Sequence, residues 1–391
     1  FFMKKQALVI GLGFAGSVVS RILADSGYDV IALEKRAHIA GNMFEYERSN
    51  GVRVHLYGPH IFHTNNEAVF SFLNRFSGFY PYSHRVIGKI DNQLVPIPFN
   101  FTSIDRLFSK DIATVYKTKL SKAFDLESRV TISDLFDTQD PDIRDLANFV
   151  LQKVFVNYSA KQWGVPFDQL DSTVTSRVPV VIGEDDRYFS DKIQMMPLLG
   201  FTDLFERLLN HPNIAVNLNS ESNRRIRLHP DSGKVLLDGI PFSGPVCYTG
   251  PIDELFDYSL GALPYRTTEF VFEDYDVNCL QCTPVINYPN EEKYTRISEF
   301  KHITLQEVPD KTTILKEYPM PYHYGSNMIP LYPIQNPDNK RKYEDYLRLG
   351  KSYSDLFFCG RLAEYKYYNM DAVVARAMQV ADDILSTPKY D

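Results

Sequence analysis

The sequence predicts an α/β fold in which a Rossmann-type nucleotide-binding domain carries a helical insert and an antiparallel β-sheet domain. Three observations point to this fold. A strand–turn–helix–strand pattern with a glycine-rich turn opens the chain, apolar spacings of three and four residues fill positions 102–160, and short strand-like runs recur between residues 225 and 318. At 391 residues the chain is long enough for two or three domains.

The glycine-rich turn is the strongest local signal. An apolar run at residues 6–10 ends at Gly11-Leu-Gly13-Phe-Ala-Gly16, a helical pattern follows, and the second strand ends at Glu34. In this pattern the first glycine permits a tight turn, the second lets the backbone approach a pyrophosphate, and the third lets helix and strand pack closely. The helix N-terminus attracts phosphates, and we expect Glu34 to bind a ribose without a 2′-phosphate.

The remaining elements define the expected domains. Residues 80–101 alternate around an Asp-Asn turn and predict a hairpin, residues 200–218 predict a helix and then a strand, and the last helix begins near Asn369. We assign residues 3–79, 198–245 and 331–391 to the nucleotide-binding domain, residues 102–197 to the helical domain, and residues 80–101 and 246–330 to the antiparallel sheet domain.

Composition excludes several classes of function. A net charge of −7 without basic runs argues against nucleic-acid binding. Cys279 and Cys282 have metal-like spacing but no second pair follows, so we interpret them as strand cysteines, and the spacing of His55, His60 and His63 fits no zinc motif. The chain shows no apolar stretch of signal-peptide or membrane-span length, so we expect no membrane association and a cytoplasmic location.

A single dinucleotide fingerprint with other domains inserted after it favours FAD over NAD. A flavoprotein without a second nucleotide site would be an oxidase, be reduced by another agent, or use its flavin without net redox chemistry. Arginines at Arg177, Arg266, Arg296 and Arg361 stand beside Tyr, Pro, Thr or Ser in otherwise uncharged strings. Because a guanidinium matches phosphate oxygens, these strings favour a diphosphate site, although each arginine alone is typical of a surface ion pair.

Motifs along nearly the whole chain resemble those of the bacterial UDP-galactopyranose mutase family. They are GLGFAGSV (11–18), EKRAHIAGN (34–42), VHLYGPHIFHTN (54–65), YSAKQWG (158–164), DDRYFSD (185–191), YTGPIDELFDY (248–258), YTRISEFKH (294–302) and GRLAEYKYYNMD (360–371). The resemblance implies an FAD-binding Rossmann-type domain and a mobile substrate loop around residues 166–182.

The resemblance also implies a reaction. It predicts a cytoplasmic isomerase that interconverts pyranose and furanose forms of UDP-galactose by attack of reduced flavin N5 on the anomeric carbon. It needs FAD in the reduced form, an external reductant such as NAD(P)H or a reductase, and a homodimer is expected. The alternatives are the same chemistry on dTDP-fucose or UDP-N-acetylgalactosamine, a flavin oxidoreductase, and a sugar-nucleotide-binding protein without catalysis.

Roles for individual residues follow from the resemblance. The expected catalytic residues are Arg177, Arg296, His63, Tyr367 and Asn369. The expected substrate-binding residues are Phe155, Tyr158, Ser159, Trp163, Arg177, Tyr188, Arg266, Arg296, Tyr332 and Tyr367. The expected cofactor-binding residues are Gly11, Gly13, Phe14, Ala15, Gly16, Glu34, Lys35, Asn42, His60, Ile61, Arg361, Tyr368, Asn369 and Met370, and no metal is expected.

The sequence departs from the family pattern at several of these places. The family usually has Asp where this chain has Asn369, Gly at Ala40 and Ala363, and Thr at Ser159. A tyrosine of the family's PYYP motif is replaced by Leu331. Asn369 could serve only as a helix cap, since Asn caps helices as well as Asp does. Against the family it predicts altered substrate choice or a shifted flavin potential.

Overall fold

The computed structural model describes residues 5–164 and 179–388. Its strands are β1 (Gln6–Ile10), β2 (Asp29–Leu33), β3 (Glu45–Glu47), β4 (Arg53–His55), β5 (Phe62–Thr64), β6 (Phe79–Pro81), β7 (Val86–Ile90), β8 (Gln93–Ile97), β9 (Arg129–Val130), β10 (Val180–Val181), β11 (Ile193–Pro197), β12 (Ile214–Asn217), β13 (Ile226–His229), β14 (Lys234–Leu237), β15 (Ile240–Pro241), β16 (Val246–Tyr248), β17 (Tyr265–Tyr275), β18 (Val285–Asn287), β19 (Arg296–Glu299), β20 (Thr312–Pro321), β21 (Tyr332–Pro333) and β22 (Leu356–Phe358).

The helices fall between these strands. They are α1 (Phe14–Asp25), α2 (Glu67–Leu73), α3 (Phe101–Leu107), α4 (Lys110–Ala123), α5 (Ile132–Asp137), α6 (Pro141–Val150), α7 (Asn157–Trp163), α8 (Phe201–Leu209), α9 (Ser222–Arg225), α10 (Ile252–Leu255), α11 (Lys301–Thr304), α12 (Pro337–Gly350) and α13 (Met370–Leu385). A 3₁₀ turn covers Gly41–Met43 and a π-helical segment covers Leu151–Val156. Within the described part of the chain, no helix is both long and apolar enough to cross a bilayer.

A parallel sheet of five strands forms the nucleotide-binding part, in the order β12-β2-β1-β16-β22. Strand β1 is buried on both faces, because Ala7 and Val9 join one apolar cluster while Leu8 and Ile10 join another. Burial on both faces explains why β1 is an uninterrupted apolar run rather than an alternating one. Helices α1 and α13 pack against each other beside this sheet. The predicted Rossmann-type architecture is confirmed.

A second sheet of seven strands has the order β21-β17-β20-β19-β18-β7-β8. Its pairings are antiparallel except for β18 with β7, which run parallel. The predicted hairpin is present as β7 and β8, with Asp91 at φ 47° and Asn92 at φ 64°. Two left-handed residues in a row are what a tight hairpin turn requires, and Asp and Asn tolerate them well.

The helical insert packs on the hairpin end of the second sheet. Ile90 and Val95 of the hairpin share one apolar cluster with Leu146 and Val150 of α6 and with Phe155. Helix α6 continues through the π-helical segment into α7, and the C-cap of α7 is Gly164 with φ 69°. Most of the predicted mobile loop (residues 166–178 of 166–182) lies outside the described residues, as does Arg177.

Four sequence-based assignments need correction. Strand β16 pairs with β1 and β22, so the nucleotide-binding sheet extends past the boundary predicted at residue 246. Strand β21 pairs with β17 and therefore belongs to the second sheet, although residues 331–391 were assigned to the first domain. Strand β11 pairs with β5 and β6, outside the helical insert. Cys279 and Cys282 are exposed in a loop, not in strands. Pairing between distant segments decides each of these placements, and local patterns do not contain it.

Candidate active site

A long cavity lies at the carboxyl ends of the parallel strands. The segments that follow β1, β2, β16 and β22 line it, and it contains about 1190 Å³ of unfilled space. Ligands of open parallel sheets bind at this edge because the loops after the strands converge there. Of the predicted cofactor residues, the cavity is lined by Gly11, Gly13, Phe14, Ala15, Glu34, Lys35, Asn42, His60, Arg361, Tyr368, Asn369 and Met370.

Two glycines at one end, Gly11 and Gly16, leave no room for side chains. Gly11 has φ +92°, and a Cβ there would lie 2.1 Å from Oγ1 of Thr249. A Cβ on Gly16 would lie 1.9 Å from the carbonyl oxygen of Gly11, so Gly16 packs beneath the turn instead of lining the cavity. Gly13 is the N-cap of α1 and makes no side-chain capping bond. The first N–H groups of α1 are therefore available to an anionic ligand.

Glu34 stands at the end of β2 and is 5% exposed. Its Oε2 accepts a hydrogen bond from the N–H of Leu12 at 2.8 Å, and its Oε1 accepts one from the N–H of Arg36 at 3.0 Å. The carboxylate thus holds the glycine turn and retains further acceptor capacity toward the cavity. A ribose hydroxyl is the group that this position suits.

The opposite end of the cavity is formed by His60, Arg361 and the start of α13. The guanidinium of Arg361 donates to the carbonyl oxygen of Tyr368 at 2.8 Å and to that of Leu331 at 3.2 Å. Burial, with added repulsion from His55 and Arg361, holds the pKa of His60 well below its usual range. Its buried Nδ1 has no hydrogen-bond partner among the described residues. Ile61, the next residue, is buried in the apolar core and does not line the cavity.

These features fit a flavin dinucleotide. The glycine turn offers bare backbone for a pyrophosphate, Glu34 offers a carboxylate for a ribose, and the far end offers an unpaired imidazole nitrogen and an arginine. Buried polar atoms without partners are uncommon in folded proteins, so the Nδ1 of His60 indicates a ligand atom beside it.

A second cleft adjoins the first and brings together side chains from all three parts of the fold. Predicted substrate or catalytic residues that line it are His63, Phe155, Tyr158, Ser159, Trp163, Tyr188, Arg296, Tyr332, Tyr367 and Asn369. They come from β5, the π-helical segment, α7, the loop before β11, β19, β21 and the segment before α13.

Arg296 is the first residue of β19, and its Nε donates to Oε1 of Glu317 on β20 at 2.6 Å. The two residues are register partners across the antiparallel strands. Burial opposes the charge on Arg296, but the Glu317 carboxylate outweighs it and raises the pKa of the guanidinium. Arg296 is therefore a fixed cation with N–H donors left for the cleft. No sequence motif identified Glu317 as the partner of Arg296. Only the register between β19 and β20 brings the two side chains together.

Three aromatic rings form a wall beside Arg361. The rings of Tyr332 and Tyr367 lie 6.0 Å apart and nearly parallel, at 11°. The ring of Trp163 meets Tyr332 edge-on at 6.0 Å. The Arg361 guanidinium lies 4.8 Å from the Tyr367 ring centroid and 5.2 Å from that of Tyr332. This wall has flat apolar faces and hydroxyl edges, which suit a sugar nucleotide.

His63 is oriented by two neighbours that the sequence did not single out. Its Nδ1 bonds Oδ2 of Asp191 at 2.8 Å, and its ring stacks on Phe189 at 3.6 Å. The contact with Asp191 fixes the proton on Nδ1 and leaves Nε2 as the free ring nitrogen. Both neighbours belong to the DDRYFSD motif (185–191), but the sequence does not show that this motif contacts His63.

Arginines illustrate what the sequence could and could not place. Arg129 of β9 lines the second cleft and donates to the carbonyl oxygens of Arg187 at 2.7 Å and Tyr188 at 3.2 Å; it was not predicted. Arg266 does not line the cleft. It is 5% exposed and donates to the carbonyl oxygens of Gln162 and Lys161 at the end of α7. The predicted role of Arg266 as a substrate ligand is therefore corrected: this side chain holds the end of α7.

Asn369 lines both cavities and is the point where they meet. It occupies the N-cap position of α13, but its side chain makes no capping hydrogen bond. The reading of Asn369 as a helix cap alone is therefore wrong. Asn369 therefore lies at the junction of the two cavities.

A group of potential metal ligands, Cys279, Glu299 and His302, lies at the end of β19, with ligand atoms within 4.8 Å of one another. The Glu299 carboxylate accepts hydrogen bonds from the N–H groups of Leu280 and Gln281 and from the hydroxyl of Thr312. It is satisfied within the fold, and we assign no metal to it.

Comparisons with known proteins agree with this geometry. The UDP-galactopyranose mutase family profile matches residues 153–367, and the profile of an NAD(P)-binding Rossmann-like domain matches residues 9–76. The chain is 33% identical to the UDP-galactopyranose mutase of Mycoplasma pneumoniae over 388 residues, covering 98% of this chain and 96% of the relative. It is 33% identical to a probable UDP-galactopyranose mutase of Klebsiella pneumoniae, covering 98% and 95%.

Two further comparisons concern a relative with a different name and a solved structure. The dTDP-fucopyranose mutase of Escherichia coli is 32% identical over 379 residues, covering 96% of this chain and 97% of the relative. A crystal structure of reduced UDP-galactopyranose mutase shares the fold with a TM-score of 0.71 at 14% identity, covering 98% of this chain and 96% of that one. With sequence identity over nearly the full length and both clefts in place, the chain belongs to the UDP-galactopyranose mutase family.

Proposed function

We propose that this protein is a flavin-dependent mutase that interconverts the pyranose and furanose forms of a nucleotide sugar, with UDP-galactopyranose as the first choice of substrate. FAD occupies the first cavity and the nucleotide sugar occupies the second. The observation that carries this proposal is that the two cavities meet at Asn369, so a flavin ring and a sugar can share one wall.

When bound in its reduced form, the flavin supplies the nucleophile for the anomeric carbon. The chain's part is to position it and to favour negative charge on it. The N-terminus of the 16-residue helix α13 opens on the cavity through Asn369 and Met370, and a helix N-terminus carries partial positive charge. Arg361 adds a full positive charge at the same end.

Breaking and reforming the anomeric bond releases and recaptures a nucleoside diphosphate, and the side chains of the second cleft support its binding there. Arg296 is a fixed guanidinium paired to Glu317, and the hydroxyls of Tyr332, Tyr367 and Tyr188 line the same cleft. Fixed positive groups at the position where negative charge develops are usually the largest single contribution to stabilising the transition state. Arg177, which we propose as a second diphosphate ligand, lies outside the described residues.

The residues on the helical side of the cleft support binding of the nucleoside base. Phe155 is buried, and burial raises the pKa of the Tyr158 hydroxyl, so Tyr158 is a neutral donor and acceptor. Ser159 and Trp163, one and five positions after Tyr158, complete this wall. We propose that the base lies between these aromatic faces.

Relatives of nearly equal identity carry different names, one a UDP-galactopyranose mutase and one a dTDP-fucopyranose mutase. The second candidate is therefore the same chemistry on dTDP-fucose, and UDP-N-acetylgalactosamine is a third substrate to offer. We also propose that an external reductant, NAD(P)H or a reductase, reduces the flavin, since a single dinucleotide fingerprint leaves no second nucleotide site in the sequence. We further propose a homodimer, which sedimentation at micromolar concentration would test.

The experiment is to reduce the purified protein with dithionite under nitrogen and offer the three nucleotide sugars side by side. Separation of pyranose and furanose forms by chromatography measures turnover. We expect conversion of UDP-galactose or dTDP-fucose by reduced protein and none by oxidised protein. Turnover by the oxidised protein with release of peroxide would overturn the proposal in favour of an oxidase, and absence of turnover with all three would leave a binding protein.

A further inference from the structure

A pocket of four tyrosines and one buried aspartate lies beside the cofactor cavity. It contains about 500 Å³ of unfilled space and shares Pro251 with the cofactor cavity. None of its lining residues is assigned to the proposed reaction. The lining residues are Pro251, Asp253, Tyr258, Ala262, Leu263, Pro264, Tyr265, Tyr322 and Tyr324.

Two of the residues that line this pocket carry a buried polar atom without a hydrogen-bond partner among the described residues. Asp253 is 2% exposed, and its Oδ2 accepts a hydrogen bond from the N–H of Leu263 at 2.7 Å. Its Oδ1 has no hydrogen-bond partner among the described residues, and neither has the hydroxyl of Tyr265, which is also 2% exposed. Leaving such groups unpaired inside a fold is costly. The carboxylate oxygen needs a hydrogen-bond donor, and the tyrosine hydroxyl can accept from the same donor group.

The tyrosine rings enclose the space above these atoms. Tyr322 meets Tyr265 edge-on at 6.0 Å, and the rings of Tyr258 and Tyr324 lie 3.9 Å apart. Tyr258 has φ +54° and follows Asp257 at φ +48°. Two consecutive left-handed residues with side chains are strained, and the fold maintains this conformation where it places Tyr258 against Tyr324 at the rim.

Asp253 is the acidic residue among those that line the pocket, and burial raises the pKa of its carboxyl group. Among the described residues that line it, none is basic, and the Asp253 carboxylate is not paired with a cation. Burial, together with the carboxylates of Glu254 and Asp253, raises the pKa of Tyr258 and Tyr322. A buried carboxylate surrounded by aromatic faces attracts an organic cation, because the rings add a quadrupole attraction to the charge.

We propose that this pocket binds the primary ammonium group of a small organic amine. The ammonium N–H groups bond Oδ1 of Asp253 and the hydroxyl of Tyr265, and the alkyl chain packs among the rings of Tyr258, Tyr322 and Tyr324. A primary ammonium satisfies the two orphan acceptors, which a quaternary ammonium without N–H groups does not. The inference is independent of the proposed mutase reaction.

The test is calorimetric titration of the flavin-loaded protein with butylammonium chloride and, separately, with 1-butanol and with choline chloride. Butylammonium and 1-butanol have the same chain length and differ in charge and donor number. We expect butylammonium to bind at least ten-fold more tightly than either comparator. Equal binding of 1-butanol would overturn the ionic contact, and equal binding of choline would overturn the hydrogen bonds to the ammonium.

Variants locate the site. Asp253→Asn removes the charge while keeping an acceptor for the N–H of Leu263, and Tyr324→Ala removes an exposed rim ring without disturbing the buried part. Both are expected to weaken butylammonium binding at least five-fold. The matched control is Tyr275→Ala, which removes a partly exposed tyrosine of the same sheet outside the pocket. If Tyr324→Ala binds as tightly as the wild type, or Tyr275→Ala loses binding equally, the amine is not held in this pocket.

Discussion

Asn369 shows how a single amide can link two cavities. Its backbone begins α13, because the N–H of Val373 donates to its carbonyl oxygen at 3.0 Å. Its side chain makes no capping bond and lines both cavities. An aspartate in its place would bring a negative charge to the N-terminus of a helix and to the edge of the flavin, whereas the amide brings none.

Asn369→Asp is expected to lower the flavin reduction potential and to change the ratio of kcat/KM between UDP-galactose and dTDP-fucose by about ten-fold, the size of one charge-assisted hydrogen bond. Redox titration and competing-substrate turnover measure the two effects. The control is Asn336→Asp, since Asn336 caps α12 with its side chain and lines neither cleft. If both quantities stay at their wild-type values, Asn369 does not set substrate choice or potential.

Arg296 is the residue on which the diphosphate assignment depends. Arg296→Lys keeps the charge but loses the planar fork, and we expect turnover to fall by about 10² to 10³, the usual cost of one preorganised donor in an active site. The flavin absorbance should remain, because Arg296 does not line the cofactor cavity. Arg225→Lys is the control, since Arg225 pairs with Asp238 on a hairpin outside both clefts. Turnover within two-fold of wild type would remove Arg296 from the mechanism.

Gly11 tests the cofactor cavity. Gly11→Ala is expected to weaken flavin binding at least a hundred-fold, because its Cβ would lie 2.1 Å from Oγ1 of Thr249 and would distort the tight turn that lines the cofactor cavity. Gly27→Ala is a matched control: Gly27 has φ +87°, similar to +92° at Gly11, but a Cβ there meets nothing within 4 Å. The flavin content of each purified variant measures the effect. Equal flavin loss in both variants would mean that backbone strain, and not the contact with Thr249, is the cause.

At the scale of an element, the π-helical segment Leu151–Val156 decides which side chains of the helical insert reach the cleft. It joins α6 to α7 and corresponds to one extra residue relative to a continuous α-helix. Phe155 lies within it and Tyr158 follows it, and both line the cleft. An extra residue rotates all that follows by about 100°, the angle of one residue in a helix.

Deleting the exposed Gln152 is expected to convert this segment to a regular α-helix and turn Tyr158 away from the base site. The KM for the nucleotide sugar should rise at least ten-fold while the flavin spectrum and reduction potential stay constant. Steady-state kinetics with reduced protein measure the first and anaerobic redox titration the second. Replacement by Gln152→Ala controls for the lost side chain. An unchanged KM in the deletion variant would show that the register of α7 is set by its own contacts, such as Arg266 with its last carbonyl groups.

Elements that local chemistry controls were predictable, and those that depend on distant pairing were not. The hairpin followed from Asp91 and Asn92, and the cofactor turn followed from the spacing of its glycines, because both signals lie within a few residues. The partner of Arg296 depends on the register of β19 with β20, and the strand Val246–Tyr248 enters the first sheet more than 200 residues after β1. Arg266 has the same local surroundings as a ligand arginine; only its tertiary contacts distinguish it.

At the scale of the whole molecule, the second cleft exists because three separately assembled parts meet there. The nucleotide-binding part contributes Tyr367, the seven-stranded sheet contributes Arg296, and the helical insert contributes Tyr158. His60 lines the first cavity, and His84, which is 5% exposed, lies against Tyr188 and Phe189 of the second cleft. Neutral histidines at the junction keep positive charge confined to the arginines of the clefts, and they connect the stability of the whole fold to pH.

Stability should therefore fall as the solution becomes acidic. Burial, with repulsion from Arg296 and His63, lowers the pKa of His84 to about 3, below the usual value of 6.5. Between these values the unfolded chain binds a proton that the folded chain refuses, so stability is fully present above pH 6.5 and is lost as the pH falls. For His84 the loss from pH 7 to pH 5 is about 2 kcal/mol. The thermal unfolding midpoint at the two pH values measures it. His84→Gln should reduce the acid-induced fall in that midpoint, whereas His229→Gln, at an exposed histidine, should leave it as in the wild type. An equal fall in all three proteins would assign the acid sensitivity to the carboxylates instead.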